Sequence, residues 1–183
     1  MSNLSQLKPG IILTGKIMTR SSFSEIDCPI ALAAEQLADK WKFVILRNAF
    51  NGMTRFDDFV EHLSVSTNVL AGRLSELVEA GILEKRPVPS DGRAVNYRLT
   101  SKGHDLFPML IFLAQWSERW VQKGRGQKIV ISSTLTGENA DLVQVLTPTG
   151  VPITSKTSRI TLAKGKSATW RQFNQIVANR SLS

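Results

Sequence analysis

The 183-residue sequence predicts a mainly α chain with one small β hairpin and a small β-rich C-terminal extension. Three observations predict it. Apolar residues recur at helical spacing from Ile30 to Leu77. The period then switches to alternation between Ile82 and Leu99, around a Ser90-Asp91-Gly92 turn. Charge is also unevenly placed: residues 125–183 hold 8 basic and 2 acidic groups, which is +6 of the net +8.

Taken in order, Ile30, Ala34 and Leu37 form a first helical stripe, with Pro29 suited to the first turn and Cys28 to the cap before it. Trp41, Val44 and Ile45 open a second apolar face that ends near Asn51-Gly52. Thr54 is expected to cap a third helix, with Phe56, Phe59 and Leu63 on one side. Ser66 is the expected cap of a fourth, flanked by Val65 and Leu70 as a hydrophobic staple. Leu70, Leu74 and Leu77 form its inward stripe, and Gly81 is the stop signal. Opposite that stripe project Asn68, Gly72, Ser75 and Glu79, so the start of the outward face is small, polar and uncharged. Strands over 82–88 and 94–99 follow, and Thr100 caps a helix running to about Gln122, with a kink expected at Pro108. Three helices, a recognition-type helix face, a hairpin and a further helix make the order of a winged helix-turn-helix.

At 42% hydrophobic and 21% charged, the composition is that of a folded chain and excludes the disordered and collagen-like classes. The longest apolar run, 106–114, is far shorter than the about 20 residues a bilayer requires. Residues 1–10 lack a cationic stretch followed by an apolar one, so a cytoplasmic protein without membrane association is expected. One cysteine cannot close an internal disulfide, and two histidines without a CxxC pair leave no zinc set. No metal, cofactor or catalytic cluster is expected, and the chain is not read as an enzyme.

Cys28-Pro29-Ile30, Lys40-Trp41 with Ile45-Leu46-Arg47, Arg55-Phe56 with Phe59, Val69-Leu70 with Arg73-Leu74, and Tyr97-Arg98-Leu99-Thr100 with Gly103 form a series of motifs. In order and spacing they resemble the HxlR-type bacterial transcriptional regulators. Leu106, Pro108, Leu110, Trp116 and Trp120 resemble the family's terminal helix, and the likeness spans roughly 18–120. It implies a homodimer that binds double-stranded DNA as a repressor or activator. The wing turn Asp91-Gly92-Arg93 with Leu99-Thr100 also resembles MarR-type regulators, which implies a ligand-responsive repressor as an alternative. In relatives that sense oxidants, a cysteine sits where Cys28 does, so the resemblance makes Cys28 a candidate redox sensor and an oxidant or small molecule a candidate signal.

For Ser66, Thr67, Asn68, Val69, Gly72 and Ser75 two readings fit: insertion into the major groove, or an ordinary exposed helix face. Asn68 suits an adenine edge and Val69 a thymine methyl. Arg73, at the edge of the apolar stripe, suits a phosphate or an internal ion pair equally. Arg86, Arg93, Asn96 and Arg98 are the wing candidates, against a reading in which a cationic strand edge only discourages aggregation. For Cys28 the helix N-terminus favours a thiolate, whereas Asp27 beside it opposes one. Leu106, Leu110, Leu113, Trp116 and Trp120 offer more apolar surface than one small domain covers; a partner subunit or the C-terminal segment covers the rest. His62 and His104 read as surface or packing residues.

These features divide the chain into an N-terminal arm (1–27), a winged-helix DNA-binding and dimerisation domain (28–123) and a basic extension (124–183). In the extension, 129–131, 142–146 and 160–162 are strand candidates around a turn at 147–150, and Trp170, Phe173 and Val177 suggest a short helix. The expected function is sequence-specific regulation on a palindromic operator; a winged helix used only for protein contacts is the alternative from another class.

Overall fold

The structure, a computed structural model of the chain, describes residue 23 and residues 28–88, 91–122, 129–140 and 142–158, with backbone alone at 91–93. The elements are α1 (Pro29–Leu37), α2 (Lys40–Phe50), α3 (Phe56–Leu63), α4 (Thr67–Glu79), β1 (Leu83–Val88), β2 (Asp91–Leu99), α5 (Ser101–His104), α6 (Phe107–Trp120), β3 (Val145–Leu146) and β4 (Pro152–Ile153). This is the mainly helical fold that the periodicity predicts, with the antiparallel hairpin β1–β2 and, in the extension, a second short antiparallel pair, β3–β4.

Pro29 opens α1 and extended Cys28 precedes it. Only the C-terminal end of the expected stripe is buried: Leu37 is in the core, whereas Ile30 is 72% exposed. Asp39 starts α2, its Oδ1 accepting from the N–H groups of Trp41 (2.8 Å) and Lys42 (3.4 Å). The start of α3 differs from expectation, because its cap is Arg55 and not Thr54. The Thr54 carbonyl instead accepts the Tyr97 N–H at 2.8 Å, its hydroxyl donates to Asn96 Oδ1 at 3.2 Å, and Arg55 bridges to Asn96. The Thr54 carbonyl is thus taken by β2, and the first α3 bond is accepted by the Arg55 carbonyl instead.

Leu70, Leu74 and Leu77 bury one side of α4 against Ile45, Leu46 and Phe59. The helix stops at Gly81 (φ +66): its N–H reaches Val78 O and the Ile82 N–H reaches Leu77 O, both at 2.9 Å. That pairing requires a left-handed residue, and Leu77 and Ile82 are both buried beside it.

Leu83 pairs with Leu99, Lys85 with Tyr97 and Arg86 with Asn96, and the register shifts between Pro87 and Val88. Proline cannot donate to the ladder, so an irregularity falls there. After it Val88 pairs with Asp91, which places Asp91 and Gly92 in β2 and not in the expected turn; Ser90 lies outside the described residues. The helix expected from Thr100 to Gln122 is two. Thr100 caps α5 by accepting from the Gly103 N–H at 3.1 Å, and α6 begins at Phe107. Pro108 lacks an N–H and would crowd the His104 carbonyl in a continuous helix. Any side chain on Gly103 would collide with the Ile82 carbonyl and Leu99.

In the extension β3 pairs with β4 across the expected turn, where Thr147 N–H reaches Val151 O at 2.8 Å. The expected strand at 129–131 does not form, an isolated bridge joining Ser132 to Asn139 instead, and of 142–146 only Val145–Leu146 is strand. Residues 160–162 and the helix expected around Trp170, Phe173 and Val177 lie outside the described residues. The extension meets α6 through backbone donors: Ile129 N–H to Glu118 Oε1 at 2.8 Å and Val143 N–H to Gln115 Oε1 at 2.9 Å.

Candidate nucleic-acid interface

The connection from α3 to α4 is three residues, Ser64, Val65 and Ser66, and Ser64 takes the left-handed conformation (φ 48) at the helix end. Val65 and Leu70 are both buried, as a staple requires, so α4 is pinned from inside at its first turn. Ser66 occupies the N-cap, but its hydroxyl makes no bond to the helix amides. Ser66, Thr67, Asn68 and Val69 are exposed together. Gly72 is half-buried, with open space where a side chain would project. Ser75 turns its hydroxyl along the helix to Glu79 Oε1 at 2.9 Å.

Arg73 sits differently. Its Nε lies 2.9 Å from Asp39 Oδ2 and its Nη1 2.6 Å from Glu76 Oε1. Glu76 Oε2 in turn lies 2.8 Å from Nζ of buried Lys42, which also donates to the Gln36 carbonyl at 2.8 Å. Of the two readings of Arg73, the structure holds the internal ion pair. Burial alone would raise the Asp39 carboxyl, but the Trp41 N–H, the Arg73 charge and the Lys42 N–H outweigh it and hold the group below its usual range. The hydrogen bond from Lys42 is the largest influence on Glu76 and lowers it likewise.

Sequence reasoning missed Asp39, Lys42 and Glu76. An aspartate just before Lys40-Trp41 is a cap signal, and Arg73 with Glu76 is a spacing-of-three pair. The link from Lys42 to Glu76 has no local signature, because it joins residues 34 positions apart.

On the wing, alternation puts Glu84, Arg86, Asn96 and Arg98 on one face. Arg86 Nε donates to Glu84 Oε1 at 2.7 Å, an exposed pair that holds little energy. Asn96 is engaged by Thr54, and Arg98 is exposed. The side chain of Arg93 lies outside the described residues. On the other face the Lys85 ammonium stands 5.9 Å from the ring centre of Tyr97, whose phenol is pushed up by burial.

The terminal-helix set divides. Leu106 and Leu110 pack against the core of their own chain, whereas Leu113 is exposed, Trp116 is 51% exposed and Trp120 53%. The described residues of the extension leave Leu113 and Trp116 largely exposed. Cys28 is partly exposed. His104 packs edge-on against Phe50, and His62 Nε2 lies 3.3 Å from Arg47 Nη2. Among the described residues there is no group of three or more potential metal ligands, and no helix is long and apolar enough to cross a membrane.

A helix-turn-helix whose second helix exposes a small polar face beside a two-stranded hairpin defines a winged helix-turn-helix, a DNA-binding class of protein. Comparison with known proteins agrees. The HxlR-like helix-turn-helix family model matches residues 36–125. The uncharacterized HTH-type transcriptional regulator Rv3095 of Mycobacterium tuberculosis is 34% identical over 127 residues, covering 69% of this chain and 80% of that protein. The crystal structure of the transcription factor PA1607 superposes with a TM-score of 0.69 at 33% identity, covering 75% of this chain and 96% of that one. PA1374 from Pseudomonas aeruginosa gives 0.58 at 29% identity, covering 80% and 99%. The chain belongs to the HxlR-like helix-turn-helix family. It is a transcriptional regulator of helix-turn-helix type, and its relatives are regulators and not enzymes. Pro29 to Trp120 is only about half of the chain, so likenesses covering 75% and 80% take in residues beyond the winged helix.

Proposed function

We propose that this chain is a homodimeric, sequence-specific regulator that acts in the cytoplasm and reads a palindromic operator. One observation carries the reading. The exposed start of α4 (Ser66, Thr67, Asn68 and Val69, with Gly72 one turn on) has no charge and little bulk. A face kept only for solubility would carry Glu and Lys. In this reading Asn68 meets a base edge, Val69 a thymine methyl, and the uncapped first turn of α4 a phosphate. Arg86, Arg93 and Arg98 anchor the wing on the backbone, with Asn96 holding its inner edge. Arg73 sets the pose of α4 instead of touching DNA.

Leu113, Trp116 and Trp120 supply the intersubunit face, which holds two recognition helices about 34 Å apart. Leu106 and Leu110 support that face from beneath. An oxidant would reach the protein through Cys28, its single thiol, and a small molecule through a cleft. DNase footprinting of the full chain on fragments upstream of its own and neighbouring genes tests the reading. Two protected half-sites one helical turn apart are expected. Salt-sensitive retardation without any footprint contradicts sequence-specific reading.

A further inference from the structure

An apolar cleft of about 250 Å3 opens between α1 and the start of α6. Its walls are Leu32 and Leu37 from α1, Ile82 just past α4, and Leu106; its polar lining is Gln36 and Lys102. Lys102 Nζ donates to the Ala80 carbonyl at 2.6 Å and to Gln36 Oε1 at 2.9 Å. An ammonium has three donors and no acceptor, so one N–H remains after those two bonds. Gln36 has committed its side-chain oxygen and keeps its NH2. The polar capacity left in the lining is thus donor only and positively charged, and among the described residues no carboxylate shares it.

We propose that this cleft binds a small apolar carboxylic acid in its anionic form. The ring or short chain lies against Leu32, Leu37, Ile82 and Leu106, and the carboxylate takes the free donors of Lys102 and Gln36. Size agrees: an apolar cavity of about 150 Å3 already accepts benzene. Position makes the site consequential. Ala80 is the C-cap of α4 and Ile82 completes its terminal hydrogen-bond pair, so the ligand joins the same lysine that grips the end of the recognition helix. The inference deepens the small-molecule signal of the reading above, and it rests on that reading for its regulatory meaning.

Titrating the isotope-labelled full chain by NMR with sodium benzoate and sodium hexanoate, with benzyl alcohol as the neutral counterpart, tests it. Saturable shifts at the Leu32, Leu37, Ile82 and Lys102 amides are expected. Binding about tenfold weaker is expected for benzyl alcohol, and for benzoate with Lys102→Met, because the charge-assisted bond is lost. Ala33→Trp, at an exposed position that also lines the cleft, should fill it and abolish binding. No saturable binding of either acid at millimolar concentration overturns the proposal. So does benzyl alcohol binding as tightly as benzoate, a comparison that needs no variant to fold. Benzoate binding unchanged in Ala33→Trp overturns it as well. None of these measurements uses DNA, so a chain that takes benzoate here yet protects no operator counts against the reading above and not against the cleft.

Discussion

Nζ of Lys42, on a side chain 9% exposed, lies 2.8 Å from Glu76 Oε2 and fixes the first turn of α2 to α4. The same carboxylate holds Arg73, and Arg73 reaches back to Asp39, so four charges run in a chain on the inner flank of the recognition helix. Placing them there orients α4 and leaves the start of its outer face un-ionised. The two properties have one cause.

Removing either end of the Lys42–Glu76 pair should have unequal effects. Glu76→Ala strands a buried ammonium with only the Gln36 carbonyl, and should lower stability by about 2 kcal/mol, a figure reduced because Glu76 is 42% exposed. Lys42→Met replaces the charge with an apolar chain of similar length and should stay within about 1 kcal/mol of the parent. Urea denaturation of both variants gives the order; a more damaging Lys42→Met contradicts it.

Acid should loosen the same flank. Asp39 and Glu76 are both held below their ordinary values of 3.8 and 4.5. Their contribution is therefore complete above those values and lost as pH falls through the lower native ones. Asp39→Asn keeps a capping oxygen but cannot titrate, so its stability should fall less steeply than that of the parent below about pH 4.5. Urea midpoints between pH 7 and 3 measure this, and parallel curves contradict it.

Salt dependence separates a phosphate contact from a positioning residue. Arg98→Ala, on the exposed wing face, should reduce the slope of log affinity against log salt by about one unit. Arg73→Ala should weaken operator binding with that slope unchanged, because its guanidinium is already paired within the chain. A reduced slope for Arg73→Ala would place it on a phosphate after all.

How far the sequence could be read depends on the range of the interactions. The α4 stripe, the Val65–Leu70 staple and the Gly81 stop are set by neighbours within a few residues, and they stand as periodicity and capping predict. Where a distant element competes, local signals mislead. Thr54 looks like a cap until β2 claims its backbone, and the Ser90-Asp91-Gly92 turn signal gives way to a pairing that runs to Val88 and Asp91. Leu106 and Leu110 share spacing with Leu113, yet only the packed core decides which of them is covered. The ion chain on α4 needed two helices to be brought together before it existed.

Gly72 offers a test in which stability and function part. Alanine meets no atom within 4 Å there and is the better helix former, so Gly72→Ala should raise stability by about 0.5–1 kcal/mol. Operator affinity should fall if the side of α4 that carries the added methyl enters the groove as proposed. Thermal melts and gel shifts on one preparation suffice, and an unchanged affinity counts against close approach at this position.

The central claim is that the exposed start of α4 reads bases. It is tested most directly by measuring Asn68→Ala and the parent chain against an operator substituted one base pair at a time. The account predicts that the variant loses discrimination at a single position of each half-site, worth about 1–3 kcal/mol, and keeps the parent preference elsewhere. An equal loss of affinity across every substituted operator, with the pattern of preference intact, would contradict it.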